Sequence, residues 1–527
     1  MVKWLFRRGL PIALLLGLTV AGVWVAANRQ VLWAAAVGPG LARFEPGGEA
    51  WELEFWIVGD GWGERMPALT SVEVRLDGAP ADAEVRFIDQ PWVRAAGGVS
   101  ESELGEVKAA MLSELDGASP KPATLTHLED VTSWLATLLN EVTPCDLILS
   151  GTGAVAEGQH WLDLTLDYRV GSRRVRVVDR VQVVVAAIPR LPGWVPADLH
   201  IHSTYSGGDK DIATIKTELA ARGYAVGYMT DHAGSLVSQG LFGDMSGPYP
   251  AACRTVSDQS TAVFPGTEMS VGPAGPGGWE TDGHSLAYGI SSISGIDDAA
   301  YAPQAGLDQI DGNSPPRSSS GLAHPARGAG WVDWNVVRYY GYEVMSGTYQ
   351  RTFDLESAAM RRWRSECLRL ANSAGEFRPG VRTGSDYHRT WRPYVTFIRL
   401  SESARSWTES WTAVSEALKA GKTTVSLKGS LAYITLGDND VGSWVQAPSG
   451  ALPFTIAIKP VVAGAYKLTL YQDNVAVAVW KHSATLEAGQ LYTWKKNVDY
   501  PGGGVHYYWL YVSGADYCYT TPIYVHP

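Results

Sequence analysis

Two histidines one residue apart, in Asp198-Leu199-His200-Ile201-His202, open the chemistry of this chain. Side chains alternate along a strand, so on a short strand both imidazoles point to one side and can reach one metal ion. Further on, Thr230-Asp231-His232 sets a carboxylate beside an imidazole. Glu268 in PGTEMS, His284 in DGHSLAYG, His324 in GLAHPA, and Asp386 with His388 in GSDYHR each end or abut an apolar run. Every histidine between Ala197 and Thr390 belongs to this set, which scattered structural histidines would not produce. Mixed imidazole and carboxylate donors suit zinc, manganese or iron without choosing among them. A bound ion of this kind would lower the pKa of its water toward neutrality, a source of hydroxide that requires no serine or cysteine nucleophile.

Those donors need strands that end at one place. The hydrophobic pattern predicts strands at Ala197–His202, Ala225–Thr230, Ala262–Met269, Ser285–Ile290, Gly321–His324, Tyr342–Met345 and Val381–Asp386. Helical patterns at Ile212–Arg222, Val332–Tyr339 and Leu355–Ala371 separate several of them. Alternating strands and helices imply a parallel barrel whose functional residues gather at the carboxyl ends of its strands. His200, His202, Asp231, His232, Glu268, His324, Asp386 and His388 follow that rule. His284 precedes its strand, which implies a hairpin returning it to the same face. A further strand, Tyr394–Leu400, and an amphipathic helix, Ser406–Ala420, complete the segment.

The order HIH, TDH, a glutamate after Pro-Gly, GH, AHP and GSDxH, from about Pro196 to Leu427, resembles the polymerase-and-histidinol-phosphatase (PHP) superfamily of metal-dependent hydrolases. Within it the chain most resembles the carbaryl-hydrolase-type metallohydrolases, often exported and flanked by β-rich domains. The resemblance implies a distorted seven-stranded (β/α) barrel. It also implies one divalent ion held by His200, His202, Glu268 and Asp386, and a second held by His284 and His324 with Glu268 bridging. A third ion would use His232, His388 and an acidic or histidine ligand soon after HIH. Where the family often has Ser-Asp-Gly this chain has Ser206-Gly207-Gly208, with Asp209 and Asp211 as the nearest substitutes. Two ions are therefore expected, and the third stays open.

Asp231 is expected to orient a ligand or handle a proton, as carboxylates behind a metal's ligands do. Lys210, Arg327 and Arg389 follow ligands closely and could face the mouth of the site, where cations would stabilise a phosphoryl transition state. The favoured expectation is a metal-dependent phosphoesterase acting on a small ester. The alternatives are a carbamate, carboxylic ester or amide hydrolase using the same centre, and a non-catalytic, metal-stabilised envelope binding module.

Around this segment the 527 residues divide into an amino-terminal leader or anchor (1–37), a β-sandwich-like domain with a helical insertion (38–192), the barrel (193–428) and an Ig-like sandwich (429–527), a multidomain α/β plus all-β chain. Lys3, Arg7 and Arg8 precede an uncharged run, Gly9–Asn28, as in an export signal or membrane anchor. The protein is thus expected to be periplasmic or extracellular, membrane-bound if the segment is uncleaved. A formal charge of −11 argues against nucleic acid as a partner. Period-two patterns fill both flanks, with helical stretches at Ser102–Leu115 and Leu128–Asn140. Exposed aromatics of the last domain could touch glycans, although tyrosine and tryptophan pairs across strands are more often core or cross-strand packing. Cys145, Cys253, Cys367 and Cys518 show no CxxC. Cys253 and Cys367 could pair or remain buried thiols.

Overall fold

The computed structural model describes residues 34–37, most of 41–59, 68–88 and 145–170, and 173–527 apart from 272–282, 295, 297–301, 326–330, 332, 347–357, 373–378, 389–390, 402–405 and 449. The leader or anchor at Gly9–Asn28, both helical stretches of the insertion, Arg327 and Arg389 lie outside the described residues. The fold is mixed α/β, rich in strands, with few helices.

Among its described residues the first unit has nine strands: β1 (Ala34–Val37), β2 (Leu41–Phe44), β3 (Ala50–Gly59), β4 (Ala68–Leu76), β5 (Ala79–Pro80), β6 (Ala83–Ile88), β7 (Cys145–Thr152), β8 (Gly158–Val170) and β9 (Arg173–Val185). They form sheets β1-β3-β7-β6 and β2-β9-β8-β4-β5. Trp51, Leu53 and Leu149 of one sheet and Val74, Leu162, Leu164 and Val181 of the other share one core. Alternation of apolar and polar residues along β8 and β9 puts one face of each strand into that core.

The central unit begins with β10 (Trp194–Ile201), β11 (Val226–Met229) and β12 (Ala262–Pro265), which pair in parallel. After Gly266 come β13 (Thr267–Ser270), β14 (His284–Tyr288) and β15 (Ser319–Ala323), which pair antiparallel. β16 (Gly341–Ser346) and β17 (Gly380–Gly384) continue that sheet in parallel. Two backbone bonds, His202 N–H to Tyr387 O at 2.9 Å and Tyr387 N–H to His200 O at 3.3 Å, bring the chain after β17 back to the end of β10. The strands therefore curl, and their ladders form two sheets with mixed pairing, where a parallel barrel interrupted by one hairpin at His284 was expected. The hairpin expected from the position of His284 is the antiparallel β13–β14 pair, with Ser270 opposite His284.

Helices α1 (Ile212–Ala221), α2 (Ala233–Ser238), α3 (Pro248–Val256), α4 (Pro303–Asn313), α5 (Ala358–Asn372) and α6 (Trp407–Lys419) occupy the connections. The Asp211 side chain caps α1 and Ser406 caps α6, each accepting from an N–H of the first turn. Among the described residues of the helix expected over Val332–Tyr339, 333–339, no helix forms. There Asp333 accepts from the N–H of Asn335, and Gln304 Oε1 accepts from the N–H groups of Val337 and Arg338, so side chains take the bonds a helix needs. The short helices α2, α3 and α4, missing from the sequence reading, include two that start at prolines, an N-terminal signal that was open to reading.

β18 (Val395–Arg399) lies antiparallel to β10, and β19 (Thr423–Ser426) antiparallel to β18. The last unit contains β20 (Leu431–Leu436), β21 (Asn439–Asp440), β22 (Trp444–Gln446), β23 (Leu452–Lys459), β24 (Gly464–Gln472), β25 (Val475–Leu486), β26 (Tyr492–Val498), β27 (His506–Gly514), β28 (Cys518–Thr520) and β29 (Ile523–His526). β28 pairs with β19, so one eleven-stranded sheet crosses the expected boundary at 428. One apolar cluster likewise runs from Val184 through Tyr342 to Val525. Cys253, Cys367 and Cys518 are buried free thiols, which excludes a Cys253–Cys367 bridge.

The two flanking units repeat each other. The order β2-β9-β8-β4-β5, with β2 parallel to β9, recurs as β22-β29-β27-β24-β25, with β22 parallel to β29. Each repeat carries the same clasp. Asp77 (φ 50°) and Asp473 (φ 48°) occupy the turns after β4 and β24. Asp77 Oδ2 meets His160 Nδ1 and Asp77 Oδ1 accepts from Trp161 N–H, while His160 Nε2 reaches Ala156 O. Asp473 makes the corresponding bonds to His506 and Tyr507 N–H, and His506 Nε2 reaches Gly502 O.

Candidate metal centre

His200 near the end of β10 and His202 just past it turn their rings to one side, both fully buried. Their Nε2 atoms stand 3.1 Å apart. Glu268 comes from β13, and Asp386 from the turn after β17. His200 Nε2 lies 3.4 Å from Glu268 Oε2 and 3.4 Å from Asp386 Oδ1. His202 Nε2 lies 3.1 Å and 3.6 Å from the same two atoms. A tetrahedral ion with bonds of about 2.0–2.2 Å has donor-to-donor edges of roughly 3.3–3.6 Å; three of these five edges fall in that range and the two at 3.1 Å are slightly shorter, a spacing close to that of one coordination sphere.

The other oxygen of Glu268 faces a second group. Oε1 is 2.8 Å from His284 Nδ1 and 3.1 Å from His324 Nε2, and those two nitrogens are 3.3 Å apart. A carboxylate with one oxygen toward each group can bridge two ions. His202, His232 and His388 form a third cluster, with nitrogen atoms within 4.8 Å of one another. It shares His202 with the first group and has no carboxylate of its own; those of the first group adjoin it, Glu268 Oε2 at 3.3 Å from His232 Nδ1 and Asp386 Oδ1 at 3.6 Å from His388 Nδ1. Gly207 has φ +93°, and a Cβ there would stand 3.5 Å from the His388 ring, beside the place where an acidic side chain is absent. Asp209 accepts instead from Tyr387 OH at 2.9 Å, and Asp211 caps α1.

Electrostatics favour cations here. Burial opposes charge on Glu268, yet the surrounding imidazoles, His284 and His200 first, hold its carboxyl well below the usual range. Burial likewise opposes charging His200, but the carboxylates of Glu343, Glu268 and Asp386 pull it well above an ordinary histidine. Burial and the neighbouring His388 push His202 down, and burial pushes His232 down to about 3. His202 and His232, held neutral by burial, and His200, surrounded by carboxylates that favour positive charge in its place, are metal ligands in chemical type. His324 (φ 28°) and Asp386 (φ 50°) hold left-handed backbone conformations that non-glycine residues rarely adopt, a strain that concentrates at functional sites.

Behind the donors stands a set of positioning groups. Asp231 accepts from Ser203 N–H at 2.8 Å, Ser203 Oγ at 2.9 Å and Ser206 Oγ at 2.7 Å. Because Ser206 Oγ donates to Asp231, it accepts from His232 N–H at 2.9 Å and from His202 Nδ1 at 3.1 Å. That fixes His202 with its proton on Nδ1 and the Nε2 lone pair toward the cluster. Asp231 thus works through Ser206. Asp198 Oδ1 accepts from the N–H groups of His200 and Ser385, tying β10 to the turn that carries Asp386; burial raises Asp198 to about 6.

Glu343 is the residue that sequence reading missed. It sits in β16 within a predicted strand, 2% exposed, and its carboxylate meets His200 Nδ1 at 3.2 Å and accepts from His324 N–H at 2.8 Å. The signal available was an acidic residue inside an otherwise apolar strand, GYEVMS. Lys210, expected to face the mouth, is 2.5 Å from Glu218 Oε1 and lies over the Tyr387 ring, committed to α1.

No family model matches the chain, and no curated protein matches it. Among solved structures it is similar to a two-domain protein containing a predicted PHP-like metal-dependent phosphoesterase from Bacteroides vulgatus ATCC 8482, with 16% identity, a TM-score of 0.35, and coverage of 64% of this chain and 98% of that one. It is also similar to the CooA pilin subunit from enterotoxigenic Escherichia coli, with 11% identity, a TM-score of 0.13, and coverage of 29% and 98%. Likenesses this low leave the case to the site's own geometry.

Proposed function

We propose that this protein is a metal-dependent hydrolase whose centre holds two divalent ions, one at His200, His202, Glu268 and Asp386 and one at Glu268, His284 and His324. The observation that carries this reading is the spacing of the first four donors, 3.1 to 3.6 Å over five measured edges. In this reading the curled strands β10–β17 are a distorted seven-stranded barrel, with β12 and β13 counted as one strand broken at Gly266. Ions bound there supply a water acidified toward neutral pH and a Lewis acid for the scissile ester's oxygen. Zinc, manganese and iron all suit the donors.

The chain's own residues set the geometry. Ser206 and Asp231 hold the His202 tautomer, and Asp198 holds the turn of Asp386. Asp231 is buried and accepts from Ser203 and Ser206, so proton handling at the rim falls to His388, whose side chain is 42% exposed. A phosphoester is the favoured substrate because two divalent ions set against only two ligating carboxylates, Glu268 and Asp386, would present net positive charge to an anion. The engagement of Lys210 by Glu218 removes one expected phosphate contact and favours the second reading, a carbamate, carboxylic ester or amide. We also place the protein outside the cytoplasm on the strength of its amino-terminal segment. Among the described residues no helix is long and apolar enough to cross a membrane.

The test is to strip the purified protein with a chelator, reload it with Mn²⁺ or Zn²⁺, and assay an aryl phosphate, a phosphodiester and an aryl carbamate beside His200→Ala. Metal-dependent turnover lost in His200→Ala is expected. Equal turnover in stripped protein and in the variant would remove this centre as the catalyst.

A further inference from the structure

We propose that Glu343 is the positioning residue that couples the two ion seats, so that neither group of donors is correctly set without it. The proposal rests on the two-ion reading above and names how the seats communicate.

β16 lies between β15, which ends just before His324, and β17, which leads to Asp386. From that middle position one carboxylate reaches both groups. Its two oxygens stand 3.2 and 3.3 Å from His200 Nδ1. A carboxylate only accepts, so Nδ1 carries the proton and the Nε2 lone pair is left for the donor cluster. The second oxygen also accepts the His324 backbone N–H at 2.8 Å. That bond anchors a residue whose φ of +28° is unfavourable without an outside restraint. One side chain thus fixes a ring tautomer in the first seat and the strained backbone of a donor in the second.

The surroundings of Glu343 point to the same role. It is 2% exposed, and among the described residues no lysine or arginine forms an ion pair with it; the ion-pair partner is His200. A buried carboxylate answered by an imidazole and one amide is costly unless positive charge continues beyond the ring. The line Glu343, His200, first seat supplies that continuation. A residue serving only to join strands would need no charge here.

Glu343→Gln separates the two contacts. The amide takes from both contacts the negative charge that His200 Nδ1–H and His324 N–H now meet, and, keeping one acceptor and gaining an NH₂ group, it also turns one of them into donor against donor. Calorimetric titration of the chelator-stripped full chain with Zn²⁺ is the experiment, with circular dichroism as a check of folding. Wild type is expected to bind two ions and Glu343→Gln to bind both about 10- to 100-fold more weakly. Two ions bound with unchanged affinity by the variant, or weakening of one seat alone, overturns the coupling while leaving the hydrolase reading intact. No ion bound by wild type overturns both. Should the variant fail to fold, ¹⁵N-histidine NMR of zinc-loaded wild type decides: His200 is expected protonated at Nδ1 and metal-bound at Nε2, and the reverse pattern ends the proposal.

Discussion

Gly384→Ala adds one methyl group where two strands of the candidate centre have no room for it. An ideal Cβ at this position would lie 2.2 Å from His200 Cβ, 2.7 Å from His200 N and 2.9 Å from its Cα. Carbon atoms approach comfortably to about 3.5–4.0 Å, so β17 and β10 must separate by roughly 1.3 Å or more. The nearest atoms belong to the backbone and to the first side-chain carbon, and neither can swing aside as a long side chain would. Metal-ligand distances tolerate only about 0.2 Å, so His200 leaves its seat. Overpacking of this kind costs about 1–3 kcal/mol of stability, and a displacement near 1 Å at a reacting centre costs about 100-fold in rate. The assay is thermal unfolding with and without Zn²⁺, together with ion content by elemental analysis. Gly384→Ala should melt lower and hold fewer ions than wild type. Gly312→Ala in α4, where a Cβ meets nothing within 4 Å, is the control. It should keep its ions and gain up to about 1 kcal/mol from helix propensity. A Gly384→Ala protein with wild-type melting and full ion content would refute the packing argument and the placement of His200 on which it depends.

Three more outcomes are expected. Gly207→Asp should raise bound Zn²⁺ by one equivalent, since the new carboxylate would start beside His388 in the cluster that lacks one. Its left-handed backbone position should cost roughly 1–2 kcal/mol in melting experiments, and an unchanged ion count would refute the reasoning. Truncation after Lys428 removes the β28 partner of β19 and the Thr521 hydroxyl that accepts from Val381 N–H on β17 at 3.0 Å. The shortened protein should aggregate or lose its ions, as gel filtration and elemental analysis would reveal; a stable, ion-loaded product would contradict the continuous sheet. Burial opposes charge on His506, but Asp473 and the Gly502 carbonyl raise its pKa above the ordinary value. A raised folded-state pKa means that the clasp's stability is complete below the unfolded value of about 6.5 and fades as pH rises through the folded value. The melting deficit of His506→Gln, worth about 0.2–1 kcal/mol for such a pair, should therefore be largest near pH 5.5 and shrink in alkali. A deficit growing with pH would have the wrong sign.

The sequence by itself determined the donor chemistry. HIH on a strand, TDH, Glu268, His284, His324 and the Asp386–His388 pair announce imidazoles and carboxylates in the proportion that metal ions take, because ligand chemistry belongs to each side chain wherever it lies. The position of His284 even announced a hairpin. Tertiary structure alone decided which second group stands behind each donor. Glu343 reads as one acidic residue in an apolar strand until β15, β16 and β17 align it with His200 and His324. Ser206 reads as a loop serine until its single proton is seen to go to Asp231. Val332–Tyr339 carries a helical pattern, yet Asp333 and the distant Gln304 capture its N–H groups. The sheet joining the central and last units, and the repeated strand order with its Asp–His clasps, were equally hidden. Such features depend on hydrogen bonds between residues far apart in the chain, and a bond of that kind exists only once strand register and curl have brought donor and acceptor together.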